Sequence, residues 1–343
     1  MDRHALIAGV SGIIGRHLAE HLVATEGWTV TGISRHKHDL PKGVKHVAVD
    51  LQAGEDVKTA LQHADITDVF ITAWMRQPTE VENCRVNAGI VRNLLHGVEG
   101  KKIKHVALVT GAKHYMGPFE AYAKTKAVTP FREEQPRLPY QNFYYDQEDK
   151  LFVAAERQGF GWSVHRPHTL IGYAVGNQMN MAATLGAYAA ICKETGRPFV
   201  FPGSPQQYEA IVDITDGRII AKHPLWAATT PVARNNAFNI VNGEVFPLEL
   251  DVAQACRTSG RGCRRISRPR AASGTTNGRH GAGLGQDGRQ ARSAEQSTQG
   301  GGFMVAQRCR PGADHRKLQR HDQEPRHGLH SLSKFGAVVH GRL

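Results

Sequence analysis

Three evenly spaced glycines follow a short apolar segment near the start of the chain. Gly9, Gly12 and Gly15 stand between the apolar residues 5–8 and an amphipathic stretch that begins at Ile13. Glycines permit a tight turn and let backbone N–H groups approach a pyrophosphate at the first turn of a helix. Because a predicted strand precedes the motif and a predicted helix follows it, the sequence predicts a dinucleotide-binding site.

The end of the second apolar segment indicates which dinucleotide this site would hold. A cofactor with a free ribose 2′-hydroxyl favours an acidic residue about 20 positions after the glycine motif. Arg35 and His36 stand there instead, and a guanidinium can pair with a 2′-phosphate. We therefore predict NADP(H), the alternative being that both residues belong to a solvated basic loop. Asp50 and Leu51, after the next strand, are predicted to flank the adenine.

Alternating strand-like and helix-like segments must position these residues. The predicted strands cover residues 5–8, 28–33, 44–49, 68–73, 104–110 and 161–165, and the predicted helices cover 13–24, 81–98 and 143–158. Alternation with short links predicts an α/β fold, a Rossmann-type doubly wound parallel sheet. The strand ends then share one edge, where a cofactor binds.

The pattern loosens after this sheet. We predict a Rossmann domain over residues 1–170 and a small, partial substrate-binding cap over residues 171–249. Prolines at 198–205 and 224–231 indicate loops within the cap, and residues 235–241 indicate one more strand.

Residues 250–343 have a different composition from the rest of the chain. Residues 251–343 contain 17 Lys/Arg against 6 Asp/Glu, a balance of +11 in a chain whose total charge is +12. They contain no tryptophan or tyrosine, and their apolar residues follow neither a helical nor a strand period. Three interpretations fit: a disordered basic tail, an Arg/Gly-rich RNA-binding tail, or a segment translated out of frame. A shift of one nucleotide permits a more protein-like sequence, so we favour the out-of-frame interpretation.

Composition excludes several other classes of protein. No uninterrupted apolar run of about 18 residues exists, and five cysteines without paired spacing indicate a reducing, cytoplasmic setting. The histidines lack metal-ligand spacing with acids or cysteines, so we predict no metal site. We expect no membrane partner, and no nucleic acid partner unless the basic tail is genuine. The small-residue helical stretch at 179–192 leaves a homodimer open.

Three later segments resemble one known family. They are Thr-Gly-Ala-Lys-His-Tyr-Met-Gly-Pro-Phe-Glu at 110–120, Asn-Phe-Tyr-Tyr-Asp-Gln-Glu-Asp at 142–149 and Trp-Ser-Val-His-Arg-Pro at 162–167. Together they resemble the progesterone 5β-reductase/iridoid synthase-like (PRISE) family of short-chain dehydrogenases/reductases, from residue 4 to about residue 248. The resemblance implies NADPH-dependent reduction of the C=C bond of a small-molecule enone.

The same resemblance implies roles for individual residues. Lys113 would be the catalytic lysine and Tyr144 the catalytic tyrosine, with Lys113 stabilising enolate charge and lowering the tyrosine pKa. The residues expected to line the cofactor are Ser11, Gly12, Ile13, Arg35, His36, Asp50, Leu51, Ala73, Trp74, Tyr144, Leu170, Asn177, Gln178 and Met179. The residues expected to line the substrate pocket are Tyr115, Phe119 and Tyr145.

A second tyrosine–lysine pair offers an alternative. Tyr122 and Lys126 fit the Tyr-x-x-x-Lys signature of ordinary short-chain carbonyl reductases and epimerases. In those enzymes the tyrosine opens a long helix, which Pro130 and the prolines after it would break here. Tyr144 instead opens a helical stretch of about four turns, and its +4 residue is Glu148. Helix geometry thus favours Tyr144. A third interpretation is a regulator that senses NADP(H) without turnover.

Overall fold

The structure is a computed structural model that describes residues 2–36, 39–118, 121, 127–175, 177, 179–197 and 199–247. The predictions for Phe119, Tyr122, Lys126, Gln178 and residues 250–343 fall outside the described residues.

Strands and helices alternate along the described chain. The strands are β1 (Arg3–Ala8), β2 (Trp28–Ser34), β3 (Val44–Ala48), β4 (Asp68–Ile71), β5 (His105–Val109), β6 (Gly161–Pro167), β7 (Thr169–Ile171), β8 (Ile211–Asp216), β9 (Asn236–Ile240) and β10 (Val245–Pro247). The helices are α1 (Ile13–Val23), α2 (Gly54–Leu61), α3 (Glu80–Gly97), α4 (Phe143–Gln158), α5 (Met181–Glu194), α6 (Pro205–Tyr208) and α7 (Gly217–Thr229).

A seven-stranded parallel sheet forms the centre of the main unit. Its strand order is β3-β2-β1-β4-β5-β6-β9. Successive strands are added outward from β1 on one side and from β4 on the other, so the point where the strand order reverses lies between the parallel neighbours β1 and β4. Helices α2, α3 and α4 cover one face of the sheet, and α1 and α7 cover the other. The predicted doubly wound α/β class is therefore confirmed. In such sheets ligands bind beyond the carboxyl ends of the strands, at the reversal point.

The described residues divide into two compact units. The main unit comprises residues up to Gly186 together with Asp213–Val245, and the second unit contains residues 187–212. Strand β9 and helix α7 belong to the main unit. Part of the segment that the sequence assigned to the cap therefore contributes a strand and a helix to the main unit. The proposed domain boundaries themselves stay a prediction. Among the described helices, none is both long and apolar enough to cross a bilayer.

Helix α7 corrects the prediction of a loop that starts at Pro224. This proline lies inside α7 and is buried. The Asp216 side chain caps the helix by accepting a hydrogen bond from Arg218 N at 2.8 Å. Ala221 and Ala228 pack in the same core cluster as α1. A strong cap and an apolar face thus outweigh the backbone hydrogen bond that proline removes.

Three histidines and a serine form a hydrogen-bonded chain inside the main unit. His105 Nε2 and His165 Nε2 each lie 2.8 Å from Ser163 Oγ, and His165 Nδ1 lies 3.1 Å from His223 Nδ1. Burial lowers the pKa of His105 and of His223 to about 4, and lowers that of His165 well below its ordinary value. All three rings are therefore neutral at physiological pH.

Candidate active site

The glycine turn joins the carboxyl end of β1 to α1, next to the point where the strand order reverses. Gly9 has φ +86°, a conformation that favours glycine, and a Cβ there would lie 2.9 Å from the Ala73 backbone. A Cβ at Gly15 would lie 2.2 Å from Gly9 O. Gly12 precedes α1 and has no side chain with which to cap it. The turn therefore brings the positive end of a helix to a backbone with no side chain at Gly9, Gly12 or Gly15, and this fits a pyrophosphate.

The residues predicted to bind the adenosine half follow β2 and β3. Arg35 and His36 are exposed directly after β2. Asp50 follows β3, and its Oδ1 accepts a hydrogen bond from Gln52 N at 3.0 Å. Leu51 is only 8% exposed and belongs to the hydrophobic core. An adenine beside this residue would therefore contact mainly its backbone.

The remaining predicted cofactor residues lie after β1 and β4 or later in the chain, from β7 onward. Ser11 and Ile13 lie in the glycine turn and at the start of α1, and Ile13 is buried. Trp74 follows β4 and stacks on Phe143, with ring centroids 5.5 Å apart. Trp74 thus contacts the helix that carries Tyr144. Leu170 lies in β7, and the Asn177 side chain accepts a hydrogen bond from the exposed Met179.

Lys113 and Tyr144 come from neighbouring segments that one side chain ties together. Lys113 lies in a short 3₁₀ turn after β5, and Tyr144 is the second residue of α4. Asn142 Oδ1 accepts a hydrogen bond from Tyr144 N at 3.1 Å, and Asn142 Nδ2 donates to Lys113 O at 2.9 Å. The Lys113 Nζ lies 4.4 Å from the centre of the Phe143 ring. Lys113 and Tyr144 are 31 positions apart in the sequence, yet the fold brings their backbones together through Asn142.

The Lys113 ammonium forms a buried ion pair that the sequence did not predict. Its Nζ lies 2.7 Å from Glu80 Oε2, and the two side chains are 5% and 9% exposed. Glu80 Oε1 accepts a hydrogen bond from Phe143 N at 2.9 Å. Glu80 therefore links the start of α3 to Lys113 and to the first turn of α4.

Burial and a nearby carboxylate set the acidity of Tyr144 in this structure. Burial raises the pKa of the Tyr144 phenol well above its ordinary value, and the negative charge of Glu80 raises it further. The lowering by Lys113 that the family resemblance implies stays a prediction. A phenol that stays protonated is a hydrogen-bond donor over the whole physiological pH range.

Gly111 is a second site residue that sequence reasoning missed. A Cβ at this position would lie 3.0 Å from the Tyr144 hydroxyl oxygen and 3.4 Å from Pro167 O. Gly111 precedes the 3₁₀ turn of Lys113, with extended backbone that any residue could adopt. The absence of a side chain, rather than backbone freedom, is what the Tyr144 hydroxyl needs here.

A buried carboxylate, Glu148, supports α4 one turn after Tyr144. Glu148 lies 3.0 Å from Arg137 Nη2, 3.4 Å from Arg166 Nη2 and 3.5 Å from His114 Nδ1. Burial alone would raise the pKa of Glu148, but the nearby His114 side chain and the two arginine charges lower it overall. The +4 partner of Tyr144 is therefore a charged structural group that anchors the helix.

The two described residues predicted for the substrate pocket are buried. Tyr115 OH donates to Asn239 Oδ1 at 2.7 Å and accepts from Arg166 at 3.0 Å. Tyr145 OH donates to His114 O at 2.5 Å. Both hydroxyls are occupied by the protein, so any substrate contact would use their rings. Among the described residues, no group of three or more His, Cys, Asp or Glu side chains is placed to hold a metal ion.

Solved structures with the same architecture include two UDP-glucose 4-epimerases. The UDP-glucose 4-epimerase of Thermotoga maritima, solved with UDP-glucose, superposes with a TM-score of 0.64 at 15% identity, over 78% of this chain and 87% of that chain. The UDP-glucose 4-epimerase of Thermus thermophilus, solved with NAD, gives a TM-score of 0.61 at 20% identity over the same shares. At this identity the likeness shows the fold alone.

Sequence comparison adds the family. The (S)-8-oxocitronellyl enol synthase of Camptotheca acuminata is 40% identical over 254 residues, which cover 71% of this chain and 65% of that protein. The 3-oxo-Delta(4,5)-steroid 5-beta-reductase of Arabidopsis thaliana is 38% identical over 253 residues, with the same shares. The chain thus spans just under two thirds of the length of these curated relatives.

The sheet order and the glycine turn define a protein with a Rossmann-fold domain. A family description of the PRISE-like Rossmann-fold domain matches residues 40–246. The chain belongs to the PRISE family, and the resemblance seen in its sequence is confirmed.

Proposed function

We propose that this protein is an NADPH-dependent reductase of the C=C bond of α,β-unsaturated carbonyl compounds. The observation that carries the proposal is the pair of hydrogen bonds through which Asn142 joins Lys113 O to Tyr144 N. This link follows the carboxyl end of β5, in the same parallel sheet whose strand β1 ends in the glycine turn. The names of the relatives support it, since a 3-oxo-Delta(4,5)-steroid is an enone and an enol is what 1,4-addition of hydride to an enal first yields.

Tyr144 would act on the carbonyl oxygen of the substrate. When bound, the reduced dinucleotide supplies a hydride to the β-carbon. Negative charge then develops on the carbonyl oxygen, and the Tyr144 hydroxyl donates a hydrogen bond to it. A preorganised donor of this kind is worth roughly 3–4 kcal/mol of activation free energy. The Lys113 ammonium, which is paired with Glu80 and lies 4.4 Å from the centre of the Phe143 ring, would help to stabilise this charge, as the family resemblance implies. The α-carbon takes its proton from solvent.

A direct assay tests this proposal. The full chain is mixed with NADPH and a simple cyclic enone, and the products are separated by chromatography. The proposal requires the saturated ketone as the product. An allylic alcohol would indicate an ordinary carbonyl reductase, and NADPH binding without any product would indicate a regulator.

Arg35 provides the test of cofactor choice. Because its guanidinium lies exposed after β2, where a 2′-phosphate would be, Arg35→Glu should weaken NADPH binding about tenfold more than NADH binding, a difference of ~1.4 kcal/mol. Titration calorimetry with both cofactors measures this. Arg157→Glu, a matched charge reversal in the last turn of α4, should change neither affinity. An equal loss of both cofactors in Arg35→Glu would remove the 2′-phosphate assignment.

Gly111 provides the test of Tyr144 placement. In Gly111→Ala the new methyl group, 3.0 Å from the Tyr144 hydroxyl oxygen, should displace that hydroxyl by a few tenths of an ångström and lower kcat about tenfold. NADPH affinity and Tm should change little. Gly89→Ala, whose nearest atom within contact range is Arg92 Nη2 at 4.0 Å, is the matched control. Unchanged kcat in Gly111→Ala would mean that this hydroxyl does not act in the reaction.

A further inference from the structure

Glu80 is the acidic partner of Lys113 and lies in the first turn of α3. We propose that Glu80 is a positioning residue, which fixes the Lys113 ammonium and the first turn of α4 together and offsets the lysine charge near Tyr144. This inference rests on the proposed function for its effect on turnover.

The Glu80 carboxylate contacts residues from three segments: α3, the 3₁₀ turn of Lys113 and α4. Oε2 contacts Lys113 Nζ at 2.7 Å and accepts a hydrogen bond from Asn83 Nδ2 at 3.2 Å. Oε1 accepts from Phe143 N at 2.9 Å. Asn83 is itself buried, and its Oδ1 accepts a hydrogen bond from Gln77 N at 2.7 Å. Both carboxylate oxygens are thus fixed, and with them the position of the lysine relative to Tyr144.

The position of Tyr144 follows from the Phe143 contact. Phe143, the residue directly before Tyr144, donates its backbone N–H to Glu80, and its ring contacts both the lysine and the tyrosine. Its centroid is 4.4 Å from Lys113 Nζ and 4.3 Å from the Tyr144 ring centroid. A shift of Glu80 would therefore move the cation and the phenol relative to each other.

Charge gives the second half of the argument. Among the described residues, the groups that interact electrostatically with the Cys84 thiol of α3 include Glu80 of the same helix, Lys113 of the 3₁₀ turn and Asp146 of α4. Of these charged groups, Glu80 raises the pKa of Tyr144. With Glu80 present, its charge offsets that of Lys113; without it, the buried lysine charge near the first turn of α4 would be unbalanced and would favour the phenolate.

The test is the titration of Tyr144 itself, which does not depend on activity. The full chain is labelled with ζ-¹³C-tyrosine, and the Tyr144 resonance among the eight tyrosines is assigned with Tyr144→Phe. Glu80→Gln should lower the pKa of Tyr144 by about one unit or more. Since the donor is lost as pH rises through this pKa, the basic limb of the kcat–pH profile should move to lower pH by the same amount.

Two further variants separate charge from position. Glu82→Gln removes a carboxylate from the same helical turn, where Glu82 interacts with the Thr79 side chain, and should leave the titration and kcat unchanged. Glu80→Asp keeps the charge and with it the fold, but its shorter side chain cannot reach both Lys113 Nζ and Phe143 N. It should retain the wild-type titration and lose about fivefold or more in kcat.

Each result decides one part of the inference. An unchanged pKa of Tyr144 in Glu80→Gln would overturn the role proposed for the Glu80 charge. Full kcat in Glu80→Asp would overturn the role proposed for Glu80 in positioning. A shifted resonance in a chain that reduces no enone even as wild type would support the charge effect and refute the proposed function. If Glu80→Gln fails to fold by circular dichroism, Glu80→Asp decides the proposal through kcat.

Discussion

Replacing Tyr144 with phenylalanine is expected to reduce the kcat of enone reduction roughly 10²- to 10³-fold, the loss that follows removal of one preorganised donor. The phenol is protonated because burial and Glu80 raise its pKa, so the wild-type hydroxyl is always available to donate. Phenylalanine keeps the ring, which packs against Phe143, and removes only this donor. Steady-state rates of NADPH consumption with an enone measure the effect, and NADPH affinity should stay within twofold.

The comparison variant is Tyr122→Phe, which removes the hydroxyl of the alternative signature. It should leave kcat close to the wild-type value. If the two variants ranked in the opposite order, the reaction would use Tyr122 and Lys126, and the enone reductase proposal would give way to an ordinary carbonyl reductase or epimerase.

Gly15→Ala is expected to abolish cofactor binding and to destabilise the fold. The added Cβ would stand 2.2 Å from Gly9 O and 2.9 Å from Thr72 Oγ1. Both neighbours are held: Thr72 donates to Ala8 O at 2.8 Å, and Gly9 N donates to Ile33 O at 3.0 Å. The backbone must therefore shift, at a cost of about 1–3 kcal/mol in unfolding free energy. Thermal unfolding and NADPH titration report the two effects.

Gly12→Ala separates the two effects of the glycine turn. Its Cβ would lie 3.3 Å from Gly9 O, a contact that small adjustments relieve, so Tm should stay near the wild-type value. The methyl group would still obstruct an approaching pyrophosphate and weaken NADPH binding. Equal Tm losses in the two variants would mean that the close approach at Gly15 does not set the geometry of the turn.

Local patterns in the sequence predicted most of the sheet and its helices. The predicted helix over 143–158 has the observed bounds of α4, because Asn142 caps its start and Gly159 ends it in a left-handed conformation. Apolar runs bounded by glycine or polar residues located β1, β2 and β5 to within a few residues. These elements follow from short-range signals, which a single sequence contains.

The contacts that complete the candidate site could not be predicted in this way. The Thr79 and Glu82 capping pair indicates that a helix starts near Glu80, but no pattern pairs Glu80 with a lysine 33 positions later. That pairing depends on the adjacency of β4 and β5, which brings the segments after both strands together. The rise in the pKa of Tyr144 likewise depends on burial, which is a property of the folded chain.

The chain of His105, Ser163, His165 and His223 has a consequence for where its protons lie. Each neutral ring carries one N–H, and the Ser163 hydroxyl donates once but can accept twice. If His165 Nδ1 donates to His223, then His165 Nε2 accepts from Ser163, and His105 must donate to Ser163. If His223 donates to His165 instead, then His165 Nε2 donates to Ser163, and His105 can either donate to that hydroxyl or accept from it. The tautomer of His223 therefore sets that of His165, and in one of its two forms it sets that of His105 as well. A change in α7 that made His223 Nδ1 the acceptor would be transmitted, bond by bond, across β6 to the start of β5.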